Sequence, residues 1–257
     1  MSSVGLVLDR LRALERPLLV ALDVDGTISP IVQDPDLARI PTEALDTLSE
    51  LAAAPDLHIA LVTGRDLDSL RRMEQLEGIW RAVEHGGVVL APGESPIARE
   101  LRREQREALD SFRAWVDANA HGSFIEHKPQ AIAVHVRAIA AEDPGRAQRL
   151  MDEADALARG LGLHVRRGKA LREAEAVRYD KGSALQEILE RCGARSACFI
   201  GDDLTDFPAI ELAAQRGVGV FVRSEEQRGT PTSSALSLQS VDEVLAVLRG
   251  LLQSLAP

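Results

Sequence analysis

The chain has 257 residues, 45% of them hydrophobic, and 40 acidic against 30 basic side chains give it a formal net charge of -10. That is enough chain for a sizeable core in one large domain or two modest ones. It is also enough negative charge to disfavour nucleic acid or an anionic membrane surface as the main partner, though not a small anion held in a local basic pocket.

Cys192 and Cys198 lack metal-site spacing, and two thiols in a chain this size are the content of a reduced, cytosolic protein. No apolar run approaches the ~20 residues needed to span a bilayer, since even residues 18–22 are closed by Asp23. Residues 1–16 carry Asp9 and Glu15 among their leucines and do not have the form of a signal peptide. The chain is therefore expected to be soluble and cytoplasmic.

In chain order, short β-type apolar runs at 18–22, 57–62, 197–200 and 217–222 alternate with helical stretches, the pattern of a parallel sheet wrapped by helices. Thr42, after Pro41, is the expected N-cap of a helix whose inner face is Ala44, Leu45, Leu48, Leu51 and Ala52. The middle of the chain reads differently. Leu101, Leu109, Phe112, Trp115 and Val116 mark a long amphipathic helix, followed by a strand at 124–126 and an alternating run at 131–137. Alternation predicts an antiparallel sheet with one wet face. A helix near 146–159 then precedes strands at 163–166 and 170–173, with Arg167, Gly168 and Lys169 as their turn. The fold class is therefore α/β: a Rossmann-like core at 1–91 and 179–257, with an α+β unit inserted at 92–178. After the insert, Asp180 is the expected cap of a helix carrying Ala184, Leu185, Ile188 and Leu189, and residues 241–252 form the last helix. Residues 224–240 read as one extended polar loop.

Four motifs fall at strand or helix ends. The first run discharges into Asp23-Val24-Asp25-Gly26-Thr27. Two carboxylates just past a buried strand sit where α/β sheets bind ligands. One can attack phosphorus while its neighbour protonates the leaving oxygen and later activates water. Gly26 permits the tight exit, and Thr27 can offer its N–H and hydroxyl to phosphate oxygens. A calcium loop is excluded, because positions six and twelve from Asp23 are Ile28 and Asp34 rather than Gly and Glu. The second run ends Thr63-Gly64-Arg65-Asp66 at the head of a helix, where anions are favoured, although plain caps use the same residues. Lys181, in Asp180-Lys181-Gly182, puts a cation at a helix N-terminus, which calls for a compensating anion. Finally Gly201-Asp202-Asp203-Leu204-Thr205-Asp206 sets three carboxylates within five residues, which repel unless a cation such as Mg²⁺ sits among them.

In this order the four motifs resemble the haloacid dehalogenase superfamily. The resemblance implies a nucleophile at Asp23, a general acid and base at Asp25, and phosphate clamps at Thr63 and Lys181. It further implies Mg²⁺ held by Asp202, Asp23 and the Asp25 carbonyl, with Asp203 and Asp206 orienting the metal shell. The insertion point is that of the superfamily's second-type cap, whose closure would exclude water during phosphoryl transfer.

Within the superfamily the chain is most similar to the trehalose-6-phosphate phosphatase family. The similarity rests on residues 23–36, 63–67, Glu84-His85-Gly86-Gly87, 181–185 and 201–206, and in the insert on Glu126-His127-Lys128 and His135-Val136-Arg137. It implies substrate contacts from Gly26, Thr27, Gly64, Arg65, His85, Glu126, Lys128, His135 and Arg137. The implied partner is a small phosphorylated sugar met by a monomer, with neither nucleic acid nor membrane involved. The alternatives are another sugar or glycosyl-acid phosphate and, from a different class, a non-catalytic sugar-phosphate sensor. Two positions depart from the family pattern: Glu173-Ala174-Glu175-Ala176 stands for E-x-R-P, and Phe207-Pro208 follows the last motif where an acidic residue is usual.

Overall fold

The structure, a computed structural model, describes residues 2–32, 34–96, 101–128, 130–168, 170–223 and 234–255. The chain begins with α1 (Ser3–Arg12), β1 (Leu18–Leu22), α2 (Thr42–Ala52), β2 (Leu57–Val62), α3 (Leu67–Met73), β3 (Trp80–Val83) and β4 (Val88–Leu90). Then come α4 (Arg103–Asn119), β5 (Phe124–His127), β6 (Ala131–His135), α5 (Arg137–Glu142), α6 (Pro144–Gly160), β7 (His164–Gly168) and β8 (Leu171–Glu175). The chain closes with α7 (Lys181–Cys192), β9 (Ser196–Gly201), α8 (Phe207–Arg216), β10 (Gly217–Val222), β11 (Leu236–Leu238) and α9 (Val241–Gln253).

A strand of unbroken apolar residues is stable only where both faces of its sheet are covered. All five residues of β1 are buried, as are all six of β9. They lie at the centre of a seven-stranded sheet of order β11-β10-β9-β1-β2-β3-β4, parallel except for β4. One face packs Leu18, Val20 and Leu22 against the apolar stripes of α1, α2 and α9. The other packs Leu19, Ala21 and Phe199 against α7 and α8. The expected parallel sheet with an inserted α+β unit is the architecture observed.

The chain divides into two units, Met1–Pro96 with Tyr179–Pro257, and Ile97–Arg178. The second has its own core, in which Phe112 and Val116 of α4 and Leu150 and Ala154 of α6 cover Ile132, Val134 and Ala174. Its sheet is antiparallel, of order β5-β6-β8-β7.

Several details differ from the sequence reading. Thr42 does not cap α2; it is the first helical residue, and Pro41 stands at the cap without a side-chain hydrogen bond. The run at 131–137 is a strand only to His135, and Arg137 opens α5 instead. Nor does β6 have a wet face, since Ala131 and Ala133 are buried. It is an inner strand, and alanine is too short to reach past the long charged side chains on β5 and β8. The last turn of the insert is tighter than expected, because Arg167 and Gly168 are still strand and Gly168 pairs with Leu171; Lys169 lies outside the described residues. Within the expected loop at 224–240, Leu236–Leu238 forms the edge strand β11, and 224–233 lie outside the described residues. Helices α1, α5 and α8 and strands β3 and β4 had no counterpart in the reading. Among the described residues no helix is long and apolar enough to cross a membrane.

Both cysteines are free, Cys198 buried in β9 and Cys192 half-buried at the end of α7. Burial pushes the Cys198 thiol up to about 12 and raises Cys192 as well, so neither is a ready thiolate near neutral pH. A disulfide-exchange reagent at pH 8 should therefore leave Cys198 unmodified in the native protein and titrate both thiols after denaturation. Rapid native reaction of both would contradict a buried β9.

Candidate active site

The register of the three central strands builds the site. Leu22 aligns with Leu61 on β2 and with Ile200 on β9, so Asp23, Thr63 and Asp202 all emerge at the same edge of the sheet. The Asp23 N–H donates to the Ile200 carbonyl at 2.9 Å, and the Thr63 N–H to the Ala82 carbonyl at 2.8 Å. From β1 the chain moves to β2 and β3 on one side and later returns to β9 on the other. Asp23 and Asp202 thus flank the switch point, where crevices form in such sheets.

Lys181, the first residue of α7, is 3% exposed, and its Nζ donates to Asp23 Oδ1 at 2.7 Å and to Asp206 Oδ1 at 2.6 Å. Asp180 caps the helix through the Ser183 N–H. The other oxygen of Asp206 accepts the backbone N–H groups of Asp202 and Asp203 at 3.0 and 2.8 Å, so one carboxylate fixes the whole loop after β9. Asp203, expected beside the metal shell, is exposed and caps its own turn through the Leu204 N–H. Orienting this loop falls to Asp206.

The loop after Asp23 folds back on itself. The Gly26 N–H donates to the Ser29 carbonyl and the Thr27 N–H to the Val24 carbonyl, while the buried Thr27 hydroxyl lies 3.4 Å from Asp202 Oδ1. Gly26 has φ +84, and a Cβ there would come within 2.1 Å of Asp202 Oδ2. As expected of a tight exit, Gly26 leaves room for Asp202; the Thr27 N–H and hydroxyl, read as donors to a phosphate, here face Val24 and Asp202.

Arg65 grips Asp25 with two bonds, Nε to Oδ2 at 2.6 Å and Nη2 to Oδ1 at 2.7 Å, and Nη1 reaches Ser69 Oγ at 3.1 Å. It therefore holds Asp25 here. Thr63 is buried, and its hydroxyl accepts the Arg65 N–H at 3.2 Å. Glu84 and His85 take left-handed backbone, φ 53 and 58, and their N–H groups donate to the Arg65 and Thr63 carbonyls. This lays the His85 ring over Gly64, where a Cβ would meet its Cε1 at 2.4 Å.

In the insert, opposite residues of antiparallel strands share a face. The register Glu126, Ala133, Glu173, Arg166 runs across β5, β6, β8 and β7, with Lys128 and Glu175 two residues further along. Lys128 Nζ donates to Glu173 Oε1 at 2.6 Å, and Arg166 Nη2 lies 2.8 Å from Glu175 Oε1. His135 Nε2 is 3.5 Å from Glu126 Oε2, and its ring packs on Phe124. Arg137, expected on this strand face, is an exposed residue at the start of α5. Sequence reasoning had not joined Arg166, Glu173 and Glu175 to this group, although period-two spacing on two strands would have paired them.

Three buried carboxylates, Asp23, Asp202 and Asp206, each offer an oxygen within 4.8 Å of the others. Burial pushes Asp23 well above the usual carboxylate range, opposed by Lys181 and reinforced by Asp206. Burial first, then Asp206, raises Asp202 to about 6. Burial alone would lower Lys181, but Asp23 and Asp206 outweigh it and hold the ammonium above its ordinary value. A single ammonium cannot balance three carboxylates, and hard oxygen donors so close together fit a divalent cation.

The trehalose-phosphatase family matches residues 21–242. An uncharacterised glycosyl hydrolase of Mycobacterium tuberculosis is 33% identical over 243 residues, covering 90% of this chain and 18% of that protein. The trehalose-phosphate phosphatase of Mycobacterium marinum is 29% identical over 256 residues, covering 90% of this chain and 62% of that protein. The chain thus spans under a fifth of the first and about three-fifths of the second. Among solved structures, trehalose-6-phosphate phosphatase of Aspergillus fumigatus superposes with a TM-score of 0.73 at 24% identity, over 97% of each chain. The site at the head of β1 and the family match over most of the sequence agree: this chain belongs to the trehalose-phosphatase family.

Proposed function

We propose that this phosphatase hydrolyses trehalose 6-phosphate to trehalose and inorganic phosphate through an aspartyl-phosphate on Asp23, with Mg²⁺ as cofactor. The observation that carries the reading is the cluster of Asp23, Asp202 and Asp206, of which Asp23 and Asp206 bond the buried Lys181. Asp23 attacks phosphorus in line, the bond from phosphorus to the sugar oxygen breaks, and that oxygen takes a proton from Asp25. Asp25 then takes a proton from water as the water attacks the phosphoenzyme, releasing phosphate and regenerating Asp23. Both Asp25 oxygens are engaged by Arg65, so proton transfer to the sugar oxygen requires Asp25 to turn away from it. Thr63 and Lys181 hold the phosphoryl oxygens, and His85 keeps Gly64 and its neighbours in place. Asp23, Asp202 and the Asp25 carbonyl would hold Mg²⁺, which supplies charge neutralisation at the phosphoryl group when bound.

The hydroxyl-rich part of the substrate is assigned to the polar sheet face of the insert, through Glu126, Lys128 and His135. Arg137, on α5, is the weakest member of that set. A second reading, in which the substrate is another sugar or glycosyl-acid phosphate, is favoured by one feature. Glu175 and Ala176 stand where the family pattern has Arg and Pro, and hydrogen-bonding sites discriminate sharply between ligands that satisfy them and ligands that do not.

Phosphate release should require Mg²⁺, stop with EDTA, and prefer trehalose 6-phosphate over other sugar phosphates by orders of magnitude. A broad or shifted preference would select the second reading. Asp23→Asn should lower kcat by on the order of 10⁴-fold or more while leaving substrate binding intact; substantial residual turnover would exclude the covalent route. Gly64→Ala, by pushing the His85 ring off its seat, should lower kcat roughly 10²-fold on sugar and aryl phosphates alike. A kcat within twofold of wild type would show that this packing does not position the site.

A further inference from the structure

The family pattern places a guanidinium at position 175, beside Glu173 on the same strand, and this chain has Glu175 there instead. A cation is nevertheless present. Arg166 stands directly opposite Glu173, one strand over on β7, and reaches the same face. Its Nε lies 2.9 Å from Glu175 Oε1 and 3.9 Å from Glu173 Oε2, and Nη2 lies 2.8 Å from Glu175 Oε1. Glu173 in turn accepts from Lys128 at 2.6 Å. The result is a row of alternating charge, Lys128, Glu173, Arg166, Glu175, in which both carboxylates are buried and both cations only partly so.

Two buried carboxylates two residues apart on one strand face repel each other, and burial adds to the cost. That cost is visible at Glu175, whose carboxyl burial raises against the opposing pull of Arg166. Without the guanidinium between them, Glu173 and Glu175 would turn apart or take up protons, and in either case would stop being fixed acceptors.

We propose that Arg166 is a positioning residue for substrate recognition: it supplies from β7 the guanidinium that the family pattern carries at 175, and so holds Glu173 and Glu175 as a rigid pair of acceptors for sugar hydroxyls. The inference rests on the reading that this sheet face recognises the sugar. It makes the change at Glu175 a relocation of charge rather than a loss of it.

The test compares wild type, Arg166→Ala, Glu175→Arg and the exchanged pair Arg166→Glu with Glu175→Arg, all with Mg²⁺. Each is assayed on the wild type's preferred sugar phosphate and on p-nitrophenyl phosphate, with melting temperatures alongside. Losing charge-assisted bonds of this kind should raise KM for the sugar phosphate roughly 10 to 100-fold in Arg166→Ala. The kcat/KM for p-nitrophenyl phosphate should stay within about twofold, since an aryl ester does not use the acceptors. Glu175→Arg alone sets two guanidiniums together and should impair the sugar phosphate as much. The exchanged pair, which restores one cation and one anion, should recover most of the loss, a coupling that independent sites do not show. Equal changes on both substrates, or no change on either, would overturn the proposal while leaving the sugar-phosphate reading intact. A wild type that shows no preference for any sugar phosphate over p-nitrophenyl phosphate would overturn that reading and this inference with it.

Discussion

The buried ammonium of Lys181 is the constraint on which the site at the head of β1 depends. A lysine at a helix N-terminus opposes the helix dipole, and one this deep also gives up its hydration. It is stable only because Asp23 comes to it from β1 and Asp206 from the loop after β9. Three segments far apart in sequence are thereby held to one point. Removing either carboxylate would leave a buried charge underneutralised, and removing the lysine would leave buried carboxylates facing each other. Such a cluster is costly for stability alone, since apolar residues of the same volume pack as well or better. Its presence accords with the role proposed for the carboxylates.

Close approach is the second constraint, and glycines set it. The glycine of each motif faces the element that the motif must meet. A Cβ on Gly26 would strike Asp202, one on Gly64 the His85 ring, one on Gly182 Pro208, and one on Gly201 the Asp206 carboxylate. The motifs are therefore interlocking surfaces as well as lists of chemical groups. Phe207-Pro208 fits this account. Phe207 opens α8 and packs edge-on against Phe221, and Pro208 occupies the first turn, where its missing N–H costs nothing. The change from the family pattern at this position is absorbed by helix initiation and by contact with Gly182, and the carboxylates on the preceding loop keep their bonds.

What was legible in the sequence follows from periodicity and position. Uniformly apolar runs revealed β1, β2, β9 and β10, because a strand covered on both faces has no polar positions to confuse the signal. Carboxylates ending such runs revealed the site, because little else explains charge at a buried strand end. The short strands β3, β4 and β11, with three or four residues each, carry too little pattern to stand out. The partnerships were hidden too. That Arg65 grips Asp25, that the Thr27 hydroxyl turns to Asp202 and that Asp206 serves Lys181 and two backbone amides all depend on loop geometry, which spacing does not encode.

The two units handle charge in opposite ways. In the first unit Asp23 and Asp206 bond one ammonium with Asp202 beside them, leaving an excess of negative charge that fits a divalent cation. On the polar face of the insert, Lys128, Glu173, Arg166 and Glu175 neutralise one another along a row, so this row, beside Glu126, offers donors and acceptors without net charge of its own. A surface of that kind discriminates by hydrogen-bond geometry, because a neutral, hydroxyl-bearing group gains only where each bond is matched. It is weak at attracting an ion and strong at rejecting a misplaced hydroxyl.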